Sequence, residues 1–131
     1  MKPRSEPEIM AWLAKANGDL IMARRAMAGE LQLCDQACYH SQQAAEKVLK
    51  ALLVASGKKA PRTHDLVALV HLLIPVHGSL SDLLEPAAEL TKYSTAPRYP
   101  DFLAAETPDD AAKAIQQAEE FTNRFNLLLP E

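Results

Sequence analysis

Apolar side chains recur every three or four residues in each long segment of this sequence, and no segment alternates apolar and polar residues as a β-strand does. From Ile9 to Met27 the apolar positions follow a 4-3-4-3-4 spacing, which places them on one side of a helix. A similar stripe runs from Ala111 to Leu129. We therefore predict an all-α fold, an up-and-down bundle of about five helices in a single domain spanning residues 1–131.

Capping residues and prolines set the expected helix ends. Ser5 and Glu8 form a capping-box pattern for the first helix, which Gly29 would end. A second helix is predicted from about Leu33 to Ser56. A third helix is expected to be capped by Thr63 and to end near Ile74, and a turn should follow at 78–81. A fourth helix is expected over roughly 82–94, and a fifth should start at Thr107.

The second helix carries the strongest pattern, and its periodicity predicts two faces. The inner face holds small and apolar residues, namely Cys34, Cys38, Ser41, Ala45, Val48, Leu49 and Leu52. The outer face holds Asp35, Tyr39, Gln43, Glu46, Lys47 and Lys50. With Lys58, Lys59 and Arg62, the two outer lysines form a candidate phosphate-attracting patch. The alternative is an ordinary solvated face on which Glu46 neutralises part of the charge.

Composition excludes several classes of protein. The net charge of −3 gives no basic excess of the kind that marks many nucleic-acid-binding domains. Cys34 and Cys38 lie four residues apart on one helix face, which does not suit a disulfide. None of the four histidines has a second ligand at metal spacing, and no phosphate loop or nucleophile motif is present, so we expect no metal and no cofactor. A polar, proline-containing start and the lack of a long apolar run predict a cytoplasmic protein.

One segment breaks the helical pattern and concentrates functional side-chain types. The string YSTAPRYPD runs from Tyr93 to Asp101 and contains Arg98 and Tyr99. A guanidinium fork suits a phosphate, and tyrosine rings suit base stacking. The alternative is structural, with the tyrosines packing the end of the bundle and Arg98 pairing with Asp101 or with a helix C-terminus.

Three strings together resemble the HEPN domain, the "higher eukaryotes and prokaryotes nucleotide-binding" family. They are CYHSQQAAEKVLKALLVASG at 38–57, PRTHDL at 61–66 and KYSTAPRYPD at 92–101. Their order and spacing are similar to those of the family across nearly the whole chain. The resemblance implies a bundle of four or five helices, a homodimer, and a common pairing with a minimal nucleotidyltransferase in bacterial and archaeal toxin–antitoxin systems.

The resemblance also implies a possible chemistry, and the sequence departs from it. Many family members are metal-independent ribonucleases, in which an R-x(4–6)-H motif binds the phosphate and assists attack by the ribose 2′-hydroxyl. Arg98 matches the arginine of that motif. The histidine is missing, because positions 103, 104 and 105 hold Leu103, Ala104 and Ala105.

We therefore expect an HEPN domain that binds a nucleotide or RNA without the usual ribonuclease motif. The candidate contacts for nucleotide or phosphate are Arg98, Tyr99, Asp101, Tyr93, Lys47, Lys50, Arg62 and His64. Two alternatives remain open: a metal-independent ribonuclease toxin with a displaced general base, and a module that only binds a partner protein. No catalytic residue is assigned from the sequence.

Overall fold

The computed structural model describes residues 1–95 and 105–130, and within these residues every regular element is a helix. The helices are α1 (Pro7–Ala28), α2 (Cys34–Ala55), α3 (Leu66–Leu73), α4 (Leu84–Thr91) and α5 (Pro108–Leu128), with a 3₁₀ helix (Gly78–Leu83) before α4. The prediction of an all-α bundle of about five helices is confirmed. In the described part of the chain, no helix combines the length and the apolar character that a membrane crossing requires.

Helix α2 is the centre of the bundle, and the other four α-helices pack around it. The prediction that α2 has one solvated face was wrong for Glu46 and Lys50, whose exposed fractions are 3% and 5%. A helix surrounded by four others has little surface left for water, so polar residues at its periodic outer positions are buried too. Tyr39, Gln43 and Lys47 keep partial exposure, as expected.

The core is built mainly from alanine and leucine, and this composition brings the helices close together. Ala44 of α2 lies between Leu20 of α1 and Ala118 of α5 in one small buried cluster. Phe121 and Phe125 of α5 supply the largest side chains of the main core. Small residues at these contacts let the helix axes approach, which is why a chain with only 5% aromatic residues fills its interior.

The helix ends follow the expected chemistry, with shifts of a few residues. Glu6 rather than Ser5 caps α1, because its carboxylate accepts from the backbone N–H groups of Glu8 and Ile9. Asp65 rather than Thr63 caps α3. The 3₁₀ helix occupies the predicted turn at 78–81 and extends to Leu83, so α4 is shorter than the predicted fourth helix. Thr107 caps α5 as the sequence indicated, because its hydroxyl accepts from the backbone N–H of Asp110. The Asp110 carboxylate in turn accepts from the backbone N–H of Thr107, which completes a capping box.

Candidate functional site

The ring of His64 is fixed by a buried carboxylate. His64 lies in the α2–α3 loop (residues 56–65), and its Nδ1 is 2.8 Å from Oε1 of Glu46 on α2. The side chain of His64 is 65% exposed, whereas that of Glu46 is 4% exposed. The contact orients the imidazole, and no described residue forms a hydrogen bond with its other nitrogen, Nε2.

Glu46 belongs to a buried polar network, which comprises Gln42, Glu46 and Lys50 and lies beneath the loop. Lys50 Nζ is 3.0 Å from Glu46 Oε2, and the ammonium also lies 5.5 Å from the ring centre of Trp12 on α1. Gln42 is fully buried and donates from Nε2 to the backbone carbonyl of His64 at 3.0 Å. The network therefore holds both the backbone and the ring of His64 against the central helix.

The rest of the α2–α3 loop carries three exposed basic side chains, while its one acid, Asp65, caps α3. Lys58, Lys59 and Arg62 are all exposed, and none forms an ion pair with another described residue. Lys58 donates from Nζ to the carbonyl of Leu72 at 2.8 Å, which ties the loop to α3. The backbone N–H of Lys2 bonds the carbonyl of α2's last residue, so the exposed Lys2 lies at the same end of the bundle.

The structure divides the lysines of the predicted basic patch into two groups. Lys50 is buried in the polar network, and Lys47 forms an ion pair with Asp19 of α1. Asp19 also accepts from His40, whose Nδ1 is 2.8 Å away. Lys47 is therefore paired with α1 and Lys50 is paired within α2, so the exposed positive charge of the patch comes from the α2–α3 loop. The sequence analysis missed both carboxylate–histidine pairs, because each partner lies on a different element.

The segment that contains most of the other candidates is only partly described. Arg98, Tyr99 and Asp101 lie outside the described residues. Tyr93 is half-buried and packs against the core. Burial is the main cause that raises the pKa of Cys38 to about 12, and it also raises the pKa of the Tyr93 hydroxyl. Both groups are thus neutral at physiological pH, which fits the structural alternative for Tyr93.

Acidic side chains surround this end of the bundle. Asp35 Oδ1 accepts from the backbone N–H of Glu106 at 3.0 Å. Burial and the nearby Asp110 and Asp35 raise the pKa of the Glu106 carboxyl. The neighbouring acids therefore repel one another here, and Lys92 offsets part of their charge. Among the described residues, no group of His, Cys, Asp and Glu is arranged to hold a metal ion.

A family model described as the HEPN domain matches residues 9–128. The chain belongs to the HEPN family. Its match covers every helix from Ile9 of α1 to the end of α5, so the α2–α3 loop with His64 is part of the domain itself. No protein among the curated sequences matches the chain.

Two crystal structures resemble this HEPN domain over most of its length. TT1696 from Thermus thermophilus shares 30% sequence identity with a TM-score of 0.76, covering 91% of this chain and 96% of that chain. ST0689, described as an archaeal HEPN homologue, shares 32% identity with a TM-score of 0.70, covering 98% of this chain and 99% of that chain. Both matches extend over most of the helical bundle and support the same family membership.

Proposed function

We propose that this HEPN domain binds the phosphate groups of a nucleotide or RNA at the α2–α3 loop. The observation that carries the proposal is the exposed imidazole of His64, fixed by buried Glu46, in a loop whose basic side chains Lys58, Lys59 and Arg62 are exposed. A charge-assisted contact from such groups suits a phosphate oxygen. Arg98 and Tyr99 are further proposed contacts, because they lie in the segment that resembles the family motif.

The distribution of charge supports this location. The end of the bundle at the C-terminus of α2 carries Lys2 and the three basic loop residues beside Glu6 and Glu8, whereas the opposite end carries Asp35, Glu106 and Asp110 beside Lys92. The net charge of −3 hides this separation. Since local potential rather than net charge attracts a ligand, an anion is expected to approach the basic end.

The polar network supports a role for the loop beyond folding. A buried Glu–Lys pair contributes little or nothing to stability compared with apolar residues of similar size, because both charges lose their hydration. In this Ala- and Leu-rich core, Glu46 and Lys50 are therefore poorly explained as stabilising residues. They are better explained by the position that they impose on His64.

Removing two loop charges is expected to weaken RNA binding strongly. We expect Lys59→Ala with Arg62→Ala to reduce the affinity for single-stranded RNA about 100-fold, since each lost charged contact costs roughly tenfold. The slope of log affinity against log salt concentration should become shallower by about 1.4, which is about 0.7 for each lost phosphate contact. Fluorescence anisotropy of end-labelled RNA over a salt series measures both effects.

The matched control for this experiment is Lys15→Ala with Arg25→Ala. These two residues are exposed on α1, and neither forms an ion pair with a described residue, so the control removes the same net charge elsewhere. We expect less than a threefold change in affinity. Equal losses in the two double variants would contradict a site at the α2–α3 loop.

Two partners implied by the family are proposed as well. We propose a homodimer, which light scattering at micromolar concentration would test, and a monomer there would contradict it. A minimal nucleotidyltransferase is the proposed protein partner, and co-purification from the source cells would test that pairing.

The fixed imidazole favours one alternative function, which is metal-independent RNA cleavage with His64 as the displaced general base. His64 would accept the 2′-hydroxyl proton at Nε2 while Glu46 holds the N–H at Nδ1. The 2′ oxygen then attacks the adjacent phosphorus, the bond from phosphorus to the 5′ oxygen breaks, and that oxygen takes up a proton from water. The products are a 2′,3′-cyclic phosphate and a 5′-hydroxyl.

Cleavage of end-labelled RNA in the presence of a chelator tests this alternative. If His64 is the base, His64→Ala should slow cleavage by roughly 10²–10⁴-fold, and added imidazole should restore part of the rate. His40→Ala is the control, because His40 is also paired with a carboxylate but its side chain is only 21% exposed. Equal cleavage by native protein and His64→Ala would exclude His64 from the chemistry.

A further inference from the structure

An open, mainly apolar cleft separates α1 from α5, and no residue of the α2–α3 loop lines it. Both helices pack on α2, but they contact each other little. The space between them has a volume of about 850 Å³, within the range of small-molecule sites. Its lining is mainly apolar and includes Met10, Leu13, Leu20, Val48 and Phe125.

Each end of this α1–α5 cleft is bounded. At one end lies Arg4, whose guanidinium sits 5.1 Å from the ring centre of Phe125 and donates to Asn126 Oδ1 at 2.9 Å. At the other end, Arg24 of α1 and Glu119 of α5 form a salt bridge of 2.6 Å across the gap. The apolar stretch of α1 between these ends, from Met10 to Leu20, is about 15 Å long at 1.5 Å per residue.

Arg4 gives the cleft a distinct charge at one end. Its side chain is half-buried, and among the described residues it has no acidic partner within salt-bridge distance. Its NH1 group donates to the carbonyl of Leu129 as well as to Asn126, which fixes the guanidinium at the mouth of the cleft. A partly buried cation beside apolar walls is complementary to a ligand with an anionic head and an apolar tail.

We propose that the α1–α5 cleft binds an elongated apolar molecule with one carboxylate end, of the medium-chain fatty acid type. The carboxylate contacts Arg4, and the chain lies against Met10, Leu13 and Ala14 towards the Arg24–Glu119 bridge. The span of about 15 Å between Arg4 and the Arg24–Glu119 bridge matches such a short ligand, whereas a partner helix would have to continue past the bridge. This site is separate from the α2–α3 loop and does not depend on RNA or nucleotide binding.

Calorimetry of the native protein with decanoate, decanol and decylamine, each below its micelle concentration, tests the head group. We expect saturable one-to-one binding of decanoate, at least tenfold weaker binding of decanol, and the weakest binding of decylamine. Octanoate should bind more weakly than decanoate and laurate more tightly, because affinity rises by up to about fourfold for each added methylene. Equal binding of the three head groups, or no saturation, would overturn the proposal.

Ala14→Phe and Ala11→Phe locate the bound molecule. Ala14 lines the cleft, whereas the equally exposed Ala11 lies on the same helix outside it, so the two variants carry the same added ring. Ala14→Phe should reduce decanoate affinity at least tenfold, and Ala11→Phe should leave it within twofold. Retained binding in Ala14→Phe, or a stable dimer that excludes decanoate from the cleft, would overturn the assignment.

Discussion

Glu46→Ala is expected to lower the free energy of unfolding by about 3–5 kcal/mol, although it removes only one side chain of the polar network. Lys50 is only 5% exposed, and the change leaves its ammonium group without a carboxylate partner. A buried charge without a partner costs far more than the intact pair contributes. Urea unfolding followed by circular dichroism measures the loss, and a change below 1 kcal/mol would contradict the account of the network.

The matched control replaces both charges. Glu46→Leu with Lys50→Leu removes the same ion pair but leaves no charge buried, so we expect stability equal to or above that of the native protein. His64 loses its carboxylate partner in this double variant as well. RNA affinity should therefore fall while stability does not, which separates the positioning of the loop from the folding of the bundle.

Phe121→Ala is expected to lower the free energy of unfolding by about 3–5 kcal/mol for a different reason. Phe121 is 1% exposed and is among the largest fully buried side chains. Loss of the ring leaves a cavity, and the small alanines at the helix contacts have no flexible side chains with which to fill it. The value should therefore lie in the upper part of this range.

Leu127→Ala on the same helix provides the comparison for Phe121→Ala. Leu127 is 77% exposed, so its truncation removes little buried surface, and we expect a change within about 0.5 kcal/mol. Thermal unfolding followed by circular dichroism compares both variants with the native chain. A small loss for Phe121→Ala would mean that α5 is packed less tightly than its burial indicates.

The helical architecture could be predicted from the sequence because each helix carries a local signal. The stripe from Ile9 to Met27 and the cap at Thr107 depend on residues within one helix, and the structure has helices in both places. Boundaries were less certain where two adjacent residues offer similar chemistry. Glu6 replaces Ser5 as the cap of α1, and the sequence alone does not show which of the two side chains reaches the backbone.

The candidate site could be predicted only in part, because it depends on contacts between elements. Periodicity places Glu46 and Lys50 on the outer side of α2, but it does not show that other helices cover that side. Burial of the pair depends on Trp12 of α1 and on His64, which lies 18 residues beyond Glu46. His64 itself was a candidate, and its buried partner was found only in the folded chain.

Nuclear magnetic resonance titration of the isotopically labelled native protein with a mononucleotide tests the proposed phosphate site most directly. We predict that the largest shifts affect the backbone amides of residues 58–65 and the ring of His64, and that they shrink as salt is raised. Shifts confined to the acidic end, around Asp35 and Glu106, or to the α1–α5 cleft would contradict a phosphate site at the α2–α3 loop.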